Sequence, residues 1–298
     1  MERTLEYIIT DEFHNKTVEQ FLKSQEFPHQ AIVQLKKTPE GILHNDVWAY
    51  TSEKLSTGDK LRLHLVEEVP ESSIEPIFVP LDIVYEDEDL LVIDKPANMP
   101  IHPSMNHHEG TVANGLMHYF KTQGKEFTFR AINRLDRDTS GLTMVAKHLL
   151  SGGILSRQVS TKEIKRTYRA ICQGKLPENG TIDAPIARVA DSTIERCVDF
   201  INGEHAVTHF KRIVYDEEKN LSLVELQLET GRTHQIRVHL KHLGYPIIGD
   251  FLYNPDYTYC QRQALHSASL YFIHPITKKE MHFASPLPED LKCIFPHI

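Results

Sequence analysis

The sequence predicts an α+β protein, with a mixed, largely antiparallel sheet and inserted helices in its longer second part and a small α/β unit ahead of it. Three observations carry this expectation. Apolar runs recur in pairs around polar turns, in LDIVYEDEDLLVIDKP (81–96) and again in VTHFKRIVYDEEKNLSLVELQLETG (207–231), which is the pattern of hairpins. Helical spacing of apolar residues is confined to short stretches between such runs. The segment EEVPESSIEPIFVP (67–80) mixes acid, serine and three prolines; proline biases its neighbours towards extended backbone, and such runs mark linkers. The expected division is therefore a unit over 1–70, a linker over 71–79 and a large domain over 80–298.

In the first unit, TVEQFLKSQ places Val18, Phe21 and Leu22 at helical spacing, with Thr17 as N-cap. HQAIVQLKKTPEG predicts a second helix that ends before Pro39 and Gly41. GILHNDVWAY and GDKLRLHL read as short strands, the latter turning Leu61, Leu63 and Leu65 inward. In the large domain, the strand 221–228 points Val224, Leu226 and Leu228 one way and Glu225 and Gln227 the other, with Glu229 continuing the polar series. THQIRVHLKHLG follows as a helix with Ile236, Leu240 and Leu243 on one stripe; Gly244 stands at the C′ position, and Pro246 prevents continuation.

Composition narrows the class. Of 298 residues, 40% are hydrophobic and 25% charged, which is ordinary for a globular chain. No run approaches the roughly 18 to 20 apolar residues needed to span a bilayer. The polar, acidic start MERTLEYIITDEFHNKT lacks the basic-then-apolar order of a signal peptide. A cytoplasmic protein without membrane contact is expected. The four cysteines, at 172, 197, 260 and 293, stand far apart with no C-x-x-C pair, so neither a zinc ribbon nor a disulfide framework is indicated. The 18 histidines show no H-E-x-x-H spacing, and His102, His107 and His108 read as a polar loop rather than a metal site. The net charge of −8 runs against the basic excess usual in nucleic-acid binders. Its distribution is uneven: acid gathers at 67–76, 85–90 and 215–220, while KEIKRTYR (162–169) and Arg232 to Lys241 are basic. A basic cleft on an acidic body would produce this segregation, and so would scattered surface charge.

Three segments carry candidate chemistry. In AINRLDRDTSGLTMVAKH (131–148), Asp136 lies between Arg134 and Arg137 and precedes a T-S-G turn into an apolar strand, Leu142 to Ala146. Neighbouring guanidinium groups favour a charged carboxylate, which suits a nucleophile or general base. A plain turn, capped by Asp136 and paired to an arginine, fits the same residues. In ETGRTHQIRVHL (229–240), Gly231 allows a tight turn, and Arg232 and His234 open a helix whose N–H groups attract anions. Arg237 and Lys241 are four residues apart on one face, either aimed at an anion or simply solvated. In KRTYRAICQG (165–174), strand alternation sets Tyr168 with Ala170 on one side and Thr167 with Arg169 on the other. Such a tyrosine can stack on a base or belong to the core.

Together these segments resemble the RluA family of pseudouridine synthases. The hallmark H-R-L-D-x-x-T-S-G-L block stands here as NRLDRDTSGL (133–142), with Asn133 in place of histidine. Four further blocks keep the family's order: EDLLVIDKPANMPIHPS (88–104), KRTYRA (165–170), GRTHQIRVHLKHLGYPIIGD (231–250) and ALHSASLYFIHP (264–275). The likeness spans roughly residues 80 to 286. It implies the pseudouridine synthase fold, an RNA-binding cleft, and isomerisation of uridine in structured RNA without cofactor or metal. It implies Asp136 as the catalytic residue, Tyr168 against the target base and Arg237 paired with the carboxylate. Arg134 would hold the flipped RNA, and Arg232, His234, Gln235 and Lys241 would contact substrate. Lys95 and Pro96 belong to a block that supports the cleft. Asn133 is expected to alter loop packing while keeping a local backbone hydrogen bond.

Residues 1–70 resemble an S4 domain, a small RNA-binding module, in their order of two helices and short strands ending in STGDKLRL. The arginine usual early in the second helix is absent, with Pro28 and His29 in that neighbourhood. By association with relatives, this module favours ribosomal over transfer RNA as partner, and the expected oligomeric state is monomer. A binding protein with a decayed catalytic domain, or a hydrolase using Asp136 with a histidine, are the competing readings. The first conflicts with the presence of Asp136, Tyr168 and Arg237, the second with the absence of a nucleophile elbow.

Overall fold

The computed structural model of the chain describes residues 1–67, 72–104 and 108–296. The first part contains β1 (Glu2–Ile8), α1 (Val18–Ser24), α2 (His29–Lys37), β2 (Ile42–His44), β3 (Val47–Trp48) and β4 (Lys60–Val66). Thr17 does cap α1: its hydroxyl accepts the Gln20 N–H while the Gln20 side chain accepts the Thr17 N–H. The strands form a sheet in the order β1-β4-β2-β3, with Leu61, Leu63 and Leu65 buried against the helices. β1 was not foreseen. Of its seven residues only Leu5 is fully buried, because it is an edge strand with little apolar signal of its own.

The second part contains β5 (Asp82–Glu86), β6 (Leu90–Lys95), α3 (Val112–Thr122), β7 (Arg130–Ala131), β8 (Ser140–Ala146), α4 (Leu149–Ser160) and β9 (Lys165–Gln173). It continues with β10 (Asn179–Asp183), β11 (Ile186–Arg188), β12 (Arg196–Val198), β13 (Val207–Asp216), β14 (Leu221–Leu228), α5 (Gln235–His242), β15 (Leu265–Ile273), β16 (Glu280–Ala284) and α6 (Glu289–Lys292). Among the described residues, ten strands form one sheet, ordered β10-β13-β14-β9-β15-β8-β6-β5, with β16 on β15 and β7 on β8. Its pairings are antiparallel except for β15 with β8. The fold is thus the mixed, mainly antiparallel α+β arrangement that the hairpin pattern predicted.

Both faces of the central strands are covered. Leu90 and Val92 of β6 pack with Leu142, Met144 and Leu155, while Leu91 and Ile93 pack with Val112, Leu116 and Phe120 of α3. Continuous apolar runs such as LLVI are what a strand buried on two sides requires. α5 lays Ile236 and Leu240 on the sheet next to β9 and β14; Leu243, expected on the same stripe, falls beyond the helix end and is exposed. No helix among the described residues is long and apolar enough to cross a membrane.

The two parts share a core. Leu150 and Ile154 of α4 join the cluster of Leu22, Phe27, Ala31 and Leu35. A Cβ at Gly153 would lie 2.5 Å from the Pro28 ring, so the helices meet where a side chain is missing. Arg3 reaches Asp89 with two hydrogen bonds of 2.8 and 3.3 Å, and Glu67 holds Arg130 while accepting the Leu149 N–H at 2.9 Å. Of the expected linker, Glu71 lies outside the described residues; the remainder follows α3, where the Glu75 carbonyl accepts from the Asn114 amide at 2.9 Å.

Candidate active site

The sheet register builds the site. At the parallel junction Gly141 of β8 lies opposite Ser267 of β15, and Ser267 lies opposite Tyr168 of β9. One row across three strands thus sets Gly141, where the Asp136 loop enters β8, about 10 Å from Tyr168. Gly141 has φ +103°, and a Cβ there would sit 2.3 Å from the Ser267 carbonyl oxygen. The T-S-G turn therefore needs glycine for a close backbone approach as well as for its dihedral.

The loop is tied down on several sides. The buried Asn133 accepts the Met144 N–H at 2.8 Å and donates to the Leu142 carbonyl at 3.3 Å, so the amide bridges loop and strand as its expected backbone bonding requires. Beneath the loop, Lys95 is fully buried and donates to the carbonyls of Pro96 (2.7 Å) and Arg137 (2.9 Å). Burial lowers the Lys95 ammonium to about 7, with the Asp138 carboxylate opposing. Gln263 donates to the Thr139 hydroxyl at 2.8 Å, and Arg262 to the Asp138 carbonyl at 3.0 Å.

Asp136 presents a half-buried carboxylate to an open cleft of about 860 Å³. The sequence suggested its flanking arginines as partners, yet Arg137 binds the neighbouring Asp138 through Nε and Nη2, both at 2.9 Å. Arg134 is exposed on the cleft wall. The guanidinium that meets Asp136 belongs to Arg237, whose Nη1 donates to Oδ2 at 2.8 Å across 101 residues. Arg237 is itself buried and held from behind by Asp250, with Nε–Oδ2 and Nη2–Oδ1 at 2.7 and 2.8 Å. Burial works against the charge of Arg237, but Asp250 and Asp136 outweigh it and raise its pKa. Its guanidinium carbon lies 5.0 Å from the centre of the Tyr253 ring and 5.5 Å from that of Phe251. Asp250 closes a motif noted in the sequence without being singled out; an acidic residue after a glycine reads as a turn, and only the packing reveals its partner.

The remaining predicted residues divide. Tyr168 is both core and cleft wall, and burial raises its hydroxyl pKa. His234, at φ +56°, lines the cleft with Nε2 4.0 Å from Asp136 Oδ1 and Nδ1 2.9 Å from the Tyr253 hydroxyl. Burial depresses its imidazole pKa, with Asp136 opposing. Arg232 lines the cleft but is paired with Glu204 and donates to the His205 carbonyl at 3.1 Å. Gln235 is buried, accepting from the Thr230 hydroxyl and the Arg232 N–H and donating to Val207 and Thr208; these bonds order the turn ahead of α5. Lys241 shares the Arg237 face, 5.2 Å from the centre of the Tyr253 ring, but is not among the cleft-lining residues. Arg166, not singled out in the sequence, also lines the cleft.

Asp87, Asp89 and His274 cluster closely enough to suggest a cation site, but the donor set does not fit one. His274 Nδ1 accepts the N–H groups of Ile276 and Thr277, so Nε2 carries the proton and donates to Asp87 at 2.7 Å. His148 likewise accepts the Ser151 N–H and donates to Asp89, which Arg3 also holds. In the expected histidine loop, His102 lies 3.0 Å from the Pro103 carbonyl, and His107 lies outside the described residues.

Comparison with known proteins identifies the family. The family model described as RNA pseudouridylate synthase matches residues 89–242. An uncharacterised RNA pseudouridine synthase of Bacillus subtilis is 46% identical over 238 residues, covering 80% of this chain and 83% of that protein. The ribosomal large subunit pseudouridine synthase D of Zymomonas mobilis is 40% identical, covering 74% of each chain. The human RNA pseudouridylate synthase domain containing 1 superposes with a TM-score of 0.58 at 26% identity, over 73% of this chain and 86% of that one. The chain belongs to the RluA family of RNA pseudouridine synthases, isomerases that act on uridine in RNA.

Proposed function

We propose that this enzyme converts specific uridines of ribosomal RNA to pseudouridine, with Asp136 as the catalytic carboxylate. The observation that carries the reading is the chain Asp250–Arg237–Asp136, which holds one carboxylate oxygen in a cleft that Tyr168 also lines. The reaction breaks the N1–C1′ bond, turns the uracil and joins C5 to C1′; the C5 proton leaves and N1 gains one, so no redox partner is involved. The target must leave its stack for a carboxylate to reach it. Asp136 then attacks C1′, adds to the ring, or removes the 2′ proton to give a glycal. In each scheme Arg237 orients the carboxylate, Tyr168 lies against the base, and Arg134 holds the displaced strand. Residues 1–70 are read as an S4-like RNA-binding module, which together with the ribosomal relatives supports ribosomal over transfer RNA.

The test is tritium release from C5-labelled uridine in ribosomal and transfer RNA from a strain lacking the gene, with carbodiimide mapping of the product. Wild type releases tritium from ribosomal RNA, and Asp136→Asn releases none while still binding RNA. Release by Asp136→Asn would sink the assignment, and release from transfer RNA alone would overturn the choice of substrate.

A further inference from the structure

We propose that Arg166 is an anion-binding residue of the cleft that takes a phosphodiester beside the target nucleotide, a role that rests on the RNA-isomerase reading above. Arg166 stands two residues before Tyr168 on β9 and therefore projects from the same face of the strand. Both side chains line the cleft. The guanidinium lies against the turn that opens α5: a Cβ at Gly231 would stand 3.5 Å from Nη1 and from Nη2. Glycine at 231 thus leaves the ends of the fork uncovered on that side.

Among the described residues, the charge of Arg166 meets no carboxylate. Arg3, Arg130, Arg157, Arg232, Arg237 and Arg262 each meet a carboxylate within 4 Å, whereas no such pair involves Arg166 among the described residues. Its Nε is buried without a hydrogen-bond partner among the described residues. A half-buried guanidinium lacking an anion is unfavourable unless an anion arrives, and its planar fork suits the oxygens of a phosphate. The substrate is a polyanion whose backbone must follow the extruded nucleotide into the cleft. Arg134 is exposed on the same cleft wall and also has no carboxylate partner among the described residues, so the two arginines offer the strand two unneutralised contacts. The competing role is structural: the Arg166 guanidinium also reaches the Tyr168 hydroxyl and could serve only to orient that ring.

The experiment compares wild type, Arg166→Gln and Arg166→Lys in two assays. Tritium release gives kcat and KM; RNA affinity in the Asp136→Asn background is followed against KCl concentration. Arg166→Gln is expected to raise KM by about tenfold, the loss of one charged hydrogen bond. It also flattens the slope of log K against log salt by about 0.7 to 0.9, one phosphate's share, while Arg166→Lys keeps the slope. On the RNA side, a methylphosphonate at the linkage 5′ or 3′ of the target costs wild type about tenfold in affinity and costs Arg166→Gln nothing further. An unchanged slope with the loss confined to kcat, or a wild type indifferent to both neutral linkages, overturns the proposal. The linkage series needs only folded wild type, so a poorly folding variant does not remove the test. Binding slopes are read without turnover; should wild type release no tritium from any RNA, the isomerase reading fails while the slopes still decide the phosphate contact.

Discussion

Replacing Asp250 by asparagine should damage both the fold and the carboxylate proposed for catalysis, Asp136, although Asp250 is not among the cleft-lining residues. Both Asp250 oxygens face donors. Oδ2 accepts Arg237 Nε at 2.7 Å; Oδ1 accepts Arg237 Nη2 at 2.8 Å and the N–H groups of Leu252 and Tyr253 at 3.0 and 3.2 Å. An amide nitrogen at either place confronts another N–H. Removing one member of a buried ion pair costs about 3 to 5 kcal/mol, because the remaining charge is left without compensation. The lower end applies here, since Asp136 stays 2.8 Å from Nη1 as a second counterion. At about 2 °C per kcal/mol for a chain of this size, melting should fall by about 6 °C. Asp136→Asn is the internal comparison. Its carboxylate is 28% exposed and Arg237 keeps Asp250, so its stability cost should stay below about 1 kcal/mol. Thermal melts by circular dichroism and tritium release at a temperature where both variants are folded separate the effects. Expected are a large melting shift with reduced turnover for Asp250→Asn, and a small shift with no turnover for Asp136→Asn. An Asp250→Asn protein that melts within 2 °C of wild type and turns over normally would refute the claim that Arg237 is held from behind.

Lys95 predicts a pH dependence of stability. Its folded value near 7 lies below the ordinary 10.5, so the unfolded chain binds more protons between these values, and stability rises with pH across that window. The slope is at most about 1.4 kcal/mol per pH unit, and urea unfolding at pH 7 to 9.5 should lose that component in Lys95→Met; identical slopes would contradict it. Gly141→Ala combines a left-handed backbone with overlap on the Ser267 carbonyl and should cost about 3 kcal/mol or more, read as a lowered urea midpoint. Turnover should survive exhaustive dialysis against EDTA, and loss of activity restored by a single divalent cation would count against the carboxylate chemistry proposed here.

Much of the site was legible because its signals are local. Alternation in KRTYRAICQG set Tyr168 and Ala170 on one face, which is the buried one, and the T-S-G turn placed Asp136 at the entry to an apolar strand, as observed. Other assignments failed for equally physical reasons. Proximity in sequence suggested Arg134 and Arg137 as partners of Asp136, but Arg137 binds Asp138. Arg232 looked free for an anion until Glu204 was found against it, and Lys241 shares a helix face with Arg237 without reaching the cleft. β1 escaped because an edge strand with one fully buried residue shows little hydrophobic period.

By itself, the sequence determined the class of fold, the two hairpins, the helices α1, α2 and α5 with Thr17 and Gly244 at their ends, and the loop that bears Asp136, since periodicity, turn chemistry and capping act over a few residues; α3 and α4 were not foreseen. The Arg237 partner came only through the family resemblance, while the tertiary structure alone decided that Asp250 stands behind it and that α4 closes the core of the first unit. These depend on strand register and helix packing between segments as much as 101 residues apart. An ion pair formed across that distance leaves no period in the chain: it is selected by where the folded sheet delivers the two groups.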